Sequence, residues 1–285
     1  MNRPPASTLA PARRLRFLRR RGAVRTLVAW AVGVACVVPF VYLAFLSLVE
    51  AWAPLVLLPG ALGMGRWRSL LGGGGGLGAS LALSLALSTV VAAISTAVGF
   101  AAARLPAYGR RRGLWRVLAY GPFAVSPVLL GVCLMPLVLR AGLAGTPTGV
   151  VLAQLTGTTG FAVVFFSAFW SERVAALEAL ARTLGARPWD VFRRVVWPLA
   201  RPLVGIGFVQ AFLLSWVQYG LTSLVGMGRV QTLPVRVFNY LNEASPYHAA
   251  VAACLLVAPP LVLLALNARL VFGSVGGVGA DDRVS

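Results

Sequence analysis

The chain has 285 residues, 59 % of them apolar and only 12 % charged, about half the charged share of a soluble domain. Several apolar runs exceed the ~18 residues that mark a membrane-crossing helix, so the composition excludes a soluble protein. The formal net charge of +19 comes from 26 basic residues, all arginine. These lie between and beside the apolar runs, as anchors facing one side of a bilayer do, which argues against nucleic acid as their partner.

Residues 1–22, rich in Pro and Arg, read as a disordered or surface-lying basic tail. Six spans follow, at about 27–49, 79–103, 115–139, 149–170, 203–225 and 249–272, within a transmembrane domain 23–272. Each is long enough to cross ~30 Å of hydrocarbon with some tilt. The first run, ahead of an A-x-A at Ala51 and Ala53, is longer than the ~7–15-residue apolar region of a signal peptide, so it is expected to stay as an uncleaved anchor. The glycine run 72–76 reads as a flexible external linker. In the second span Ser80, Ser84, Ser88 and Ser95 recur on one face, which predicts close helix packing through small residues. Pro122, Pro127 and Pro136 predict a kinked or broken third span. Cys36, Cys133 and Cys254 each sit inside an apolar run without metal-ligand spacing and read as small packing residues.

An even number of spans puts both termini on one side. That side collects 21 of the 26 arginines, against Arg66, Arg68, Arg140, Arg229 and Arg236 on the other. The positive-inside rule then makes both termini cytoplasmic, along with the tail 273–285 and the loop between spans four and five.

That loop, residues 172–201, is the one long polar segment that reads as structured. Val174, Leu177, Leu180, Ala181 and Leu184 form a helical apolar stripe, with Ser171 as a candidate N-cap and Glu172 at the positive end of the helix dipole. Gly185 permits the left-handed conformation that ends a helix. Pro188 opens a second short helix at 189–196, and Pro198 is the expected stop before span five.

The stretch ARTLGARPWDVFRRVVWPLARP resembles the cytoplasmic signature of binding-protein-dependent ABC transporter permeases: E-A-A, three residues, Gly, nine residues, then I-x-L-P. Ala179, Leu180 and Ala181 stand at E-A-A, Gly185 and Pro198 keep their offset, and Trp197 replaces the usual Leu. Ala179 stands in place of the family's Glu, with Glu178 one residue earlier as the candidate acid contact. The resemblance implies that Glu178, Ala179, Ala181, Leu184, Gly185, Ala186, Arg187, Trp189 and Pro198 dock onto a separate ATPase. Leu184, Ala186, Trp189, Val191 and Phe192 would form the apolar face of the lever, rimmed by Arg187, Arg193 and Arg194.

A chain without Lys cannot contain the phosphate loop G-x-x-x-x-G-K-[ST]. One histidine, His248, and no clustered carboxylates leave no metal or acid–base site, so no cofactor is expected and ATP hydrolysis belongs to another polypeptide. The alternative, a secondary transporter or channel without an ATPase, usually carries an ionisable residue within a span, and none stands near the middle of any span here. Gln154 and Thr158 in span four, with Gln210, Ser215, Gln218, Tyr219 and Thr222 in span five, are the candidate lining of a path. Gln210, Gln218 and Thr222 would share one face, and hydrogen bonding between helices is the competing role.

The external stretch from Gln231 to Val235 resembles the loop of permeases for polyamines, iron(III) or thiamine, whereas Arg229 and Arg236 at the mouth suit an anion. The resemblance as a whole implies an all-α integral membrane protein with six spans and the type I ABC importer permease fold. It implies a multi-pass protein of the bacterial inner membrane. Its partners would be a cytoplasmic ATPase dimer, a second permease subunit (homologous or identical), an extracytoplasmic solute-binding protein and the lipid bilayer.

Overall fold

A computed structural model describes residues 10–52, 60–72, 76–109 and 111–275. It divides into two units at Gly63. The first holds α1 (Ala10–Leu48) and an antiparallel pair of short strands, β1 (Val49–Ala51) and β2 (Ala61–Leu62). The Gly63 amide closes that hairpin on the Leu48 carbonyl at 2.8 Å. Helix already begins at Ala10, so the tail expected over residues 1–22 is helical from there on, a correction to its reading as disordered. Residues 1–9, the central glycines of the 72–76 run and residues 276–285 of the predicted C-terminal tail lie outside the described residues.

The second unit is helical: α2 (Gly65–Gly72), α3 (Leu77–Ala102), α4 (Arg104–Tyr108), α5 (Arg112–Ala124), α6 (Pro127–Arg140) and α7 (Pro147–Ser167), then α8 (Glu172–Thr183) and α9 (Pro188–Val191). A π-helical turn, Phe192–Val196, leads into α10 (Trp197–Trp216), followed by α11 (Gly220–Gly226), α12 (Leu233–Asn242) and α13 (Pro246–Val275). Among the described residues five stretches are long and apolar enough to cross a membrane: Arg25–Leu48, Leu77–Tyr108, Pro147–Ser167, Pro188–Trp216 and Pro246–Leu263. The bent pair α5 and α6 makes a sixth.

Proline writes much of this punctuation. A first-turn proline opens α6, α7, α9 and α12, where the missing N–H has no helical partner to lose. At α7 the Thr146 hydroxyl also accepts from the Gly149 amide at 3.1 Å. Pro127 keeps Ser126 out of helical backbone, Val125 is extended as well, and the third span breaks there with a bend of 103°.

Two expectations for span five need correction. Pro198 is not a stop: helix runs from Pro188 through Trp216, with Pro198 inside it. A proline ring collides with the carbonyl four residues back and leaves it without a donor. The π turn just before it widens the helix, and the Trp197 amide bonds the Phe192 carbonyl instead. The span also does not continue to residue 225. It ends at Trp216, and residues 217–219 separate it from α11. Gly220 at the start of α11 lies so close to Val128 that a Cβ there would meet its methyl carbon at 2.7 Å.

Three apolar clusters hold this unit together. Phe100, Phe166 and Trp170 centre one beneath α8, Phe212, Trp216 and Leu233 another, and Val150, Leu221 and Val225 the third. Helix α3 packs most extensively on α7 and α10, which makes it the central helix.

Candidate functional site: an exposed corner and a buried amide cluster

The corner between α8 and α9 is built by Gly185. Its φ is +82°, a left-handed value that costs a residue with a Cβ about 1–2 kcal/mol. The Gly185 amide bonds the Arg182 carbonyl at 3.0 Å and the Ala186 amide bonds the Ala181 carbonyl at 3.1 Å. This is the Schellman pattern, which satisfies carbonyls at the end of α8. Nothing lies within 4 Å of where a Cβ would stand, so conformation and not space demands glycine. Three residues later Pro188 starts α9, and the chain reverses in a fixed geometry.

The faces of α8 divide differently from the predicted stripe. Val174 and Glu178 are buried, with Leu177 and Ala181 half-buried, whereas Ala179 is exposed and Leu180 and Leu184 are 59 % and 80 % exposed. Leu180 and Leu184 therefore do not belong to the inward face. Trp189 is 68 % exposed and stacks on Phe192 with ring centres 5.7 Å apart. Of the expected lever face, Leu184 and Trp189 point outward, Ala186 and Phe192 are half-buried, and Val191 is buried within the chain. Arg187, Arg193 and Arg194 are exposed around them. An apolar corner rimmed by cations is the result.

Glu178 does not face outward as the candidate acid contact. Its Oε2 lies 2.7 Å from Nη2 of Arg104, at the start of α4, and the residue is only 7 % exposed. The Arg104 guanidinium also lies 4.6 Å from the centre of the Trp170 ring. The Trp170 indole N–H donates to the Phe100 carbonyl at 3.1 Å, and the Tyr108 hydroxyl donates to the Ser171 carbonyl at 2.7 Å. Arg104, Tyr108 and Trp170 carried no such role in the sequence reading. Seventy-four positions separate Arg104 from Glu178, and no spacing rule spans that distance.

The candidate path residues are split. Gln154 on α7 is buried; its Nε2 donates to the Thr222 hydroxyl of α11 at 2.8 Å, and its Oε1 accepts from the Ser215 hydroxyl of α10 at 2.5 Å. Thr158 donates to the Gln154 carbonyl at 2.9 Å. Gln210 is exposed on α10, while Gln218 and Tyr219 lie half-buried in the break between α10 and α11. The single face expected for Gln210, Gln218 and Thr222 does not exist, because no continuous helix carries them. Tyr219 stacks on Phe238 of α12 with centres 4.0 Å apart. A cavity of about 120 Å³ lies between the two breaks, lined by Gln154, Thr158, Gln218, Pro122 and Pro127 among others. Among the described residues no cluster of His, Cys, Asp and Glu could hold a metal ion.

The serine face of α3 bonds as well as packs. Ser84 accepts from the Leu233 amide at 2.7 Å, Ser80 from Arg236 Nε at 3.3 Å, and Ser95 from Thr159 at 3.3 Å.

Known proteins give this geometry its context. The permease protein ModB of the molybdenum transport system of Mycobacterium tuberculosis is 34 % identical over 176 residues, covering 56 % of this chain and 66 % of that protein, just under two thirds of its length. The putrescine permease protein PotI of Escherichia coli is 29 % identical, covering 63 % and 61 %. Among solved structures, a bacterial ABC importer of the acidic polysaccharide alginate aligns with a TM-score of 0.63 at 16 % identity, over 92 % of this chain and 98 % of that one. The methionine transporter MetNI aligns with a TM-score of 0.53, also at 16 % identity, over 69 % and 95 %. These two show the permease fold of ABC importers. The family model described as binding-protein-dependent transport system inner membrane component matches residues 7–272, and the chain belongs to that family.

Proposed function

We propose that the chain is the membrane-spanning permease subunit of an ATP-driven solute importer, and that a separate ATPase dimer seats on the corner around Gly185. One observation carries this reading: Leu184 and Trp189 are held in the open on a fixed turn, with Arg187, Arg193 and Arg194 exposed nearby in the chain. Burying each such side chain against a partner contributes about 1.5–3 kcal/mol. The corner is also mechanically tied to the membrane, since helix continues from Pro188 to Trp216. A push on α9 therefore acts directly on a span.

In this reading a second permease subunit, identical or homologous, completes the path, and a binding protein delivers solute from outside. The arginine distribution places both termini and the corner in the cytoplasm. ATP binding closes the ATPases, the corners move, and the spans open outward; hydrolysis resets them. Glu178 supplies no contact to the ATPase, because it is paired within the chain.

For the solute we favour an anion over the polyamine, iron(III) or thiamine of the loop resemblance. The outer side carries Arg66, Arg68, Arg140, Arg229 and Arg236 against Glu50 and Glu243. ModB takes its name from molybdenum transport, and a Synechocystis relative, CysW, from sulfate. The test is reconstitution in proteoliposomes with its partner ATPase and binding protein. Uptake of molybdate or sulfate that requires ATP is expected. Uptake of putrescine alone would overturn the solute, and uptake without any ATPase would overturn the importer.

A further inference from the structure

We propose that α3 is a transmission rod, clamped at one end to the docking corner and at the other to α12, and that Arg104 and Glu178 are the positioning residues that close the first clamp. The inference rests on the proposed ATPase docking and extends it to a helix that takes no part in the corner itself. Chain connectivity already ties the corner to α7 and α10, which flank it in sequence. It does not tie the corner to α3, the helix on which both of them pack. Side chains make that link.

At its α4 end the link is charged and aromatic. Glu178, buried on the inner face of α8, meets Arg104 at 2.7 Å, and Arg104 lies against Trp170, whose N–H bonds back to Phe100 of α3. Tyr108 of α4 adds a bond to the Ser171 carbonyl, at the start of α8. So α8 is fastened at its beginning and in its middle. The Glu178 carboxylate is nearly covered and Arg104 is its charged partner, so parting the two leaves that carboxylate without its counter-charge.

About 24–30 Å back along α3 from Phe100, at 1.5 Å per residue, the helix is fastened again. The Ser84 hydroxyl accepts the Leu233 amide and Ser80 accepts from Arg236, both of α12. Each amide or guanidinium donor there is oriented by a short serine on the buried face of α3, which leaves little slack. Displacement of the corner then reaches α12 through α3, and α12 moves with the ATPase.

The experiment uses the permease–ATPase complex in nanodiscs, on a background with Cys36, Cys133 and Cys254 replaced. A nitroxide is placed at Leu180 on α8 or at Leu241 on α12, both exposed, and its spectrum is compared before and after trapping with MgATP and vanadate. In the otherwise native chain both labels are expected to respond. In Glu178→Gln and Arg104→Ala the Leu180 label should still respond, while the response at Leu241 falls by about fivefold or more, the scale of a lost coupling between sites. The exchanged pair R104E/E178R should recover part of the Leu241 response. A merely structural role would weaken both labels together, and that result would overturn the rod, as would an undiminished Leu241 response in both single variants. Should a single variant fail to assemble, the exchanged pair decides alone, by recovering or losing the Leu241 response while Leu180 responds. Silence of both labels in the native chain would overturn the ATPase-docking reading itself, and the rod with it.

Discussion

The Gly185 corner and the Gln154 cluster invert the usual placement of polar and apolar groups. At the corner, large apolar side chains stand in the open: Leu184 is 80 % exposed and Trp189 68 %. In the Gln154 cluster, polar side chains are sealed away and spend their bonds on one another, Gln154 on Ser215 and Thr222. Hydrocarbon offers no partner for an amide, so three helices must supply it. An exposed tryptophan beside an exposed leucine on a rigid turn is the kind of surface the proposed docking needs. Polarity alone therefore does not mark the path, nor apolarity the core.

The contrast can be broken most sharply at Gly185. In Gly185→Asp a side chain and a charge are added at a left-handed position of the exposed turn, so solute-stimulated ATP turnover should fall to background while the chain still inserts. Stimulation assays beside a membrane-fraction blot would show both. Trp189→Ala removes the largest exposed apolar group of the corner. It should weaken ATPase binding by about tenfold or more, measured by titration, without lowering thermal stability. Gln154→Leu should do the reverse. The hydroxyls of Ser215 and Thr222 lose their partner, so stability should drop by about 1–2 kcal/mol in a detergent unfolding titration, with ATPase affinity unchanged. Gln210→Leu is the smallest case. That side chain is exposed on α10 and should shift stability by less than about 0.5 kcal/mol; a loss of transport rate together with Gln218→Leu would mark both as lining the path.

Local rules made the corner legible. Gly185 before Pro188 fixes a turn whatever surrounds it, and proline after Thr146 or Ser126 opens a helix by the same logic. The break in the third span followed from Pro127 because the residue before a proline avoids helical backbone. Periodicity was blind to what covers a face: Leu180 and Leu184 keep helical spacing with Val174 yet point the other way. It also passed straight through Val217, Gln218 and Tyr219, which carry no proline or glycine to mark the end of α10. Pro198 misled for a related reason. A wider turn ahead of a proline lets the helix continue, and only the folded backbone reveals that choice. The pairing of Glu178 with Arg104 belongs to tertiary structure alone.

The corner as a docking surface is tested most directly by titrating the fluorescently labelled partner ATPase onto nanodiscs carrying either the native permease or the double variant L184A/W189A. Two exposed apolar anchors worth about 1.5–3 kcal/mol each predict at least a hundredfold weaker binding for the variant. Equal affinity for the two would contradict the assignment of the ATPase to this corner.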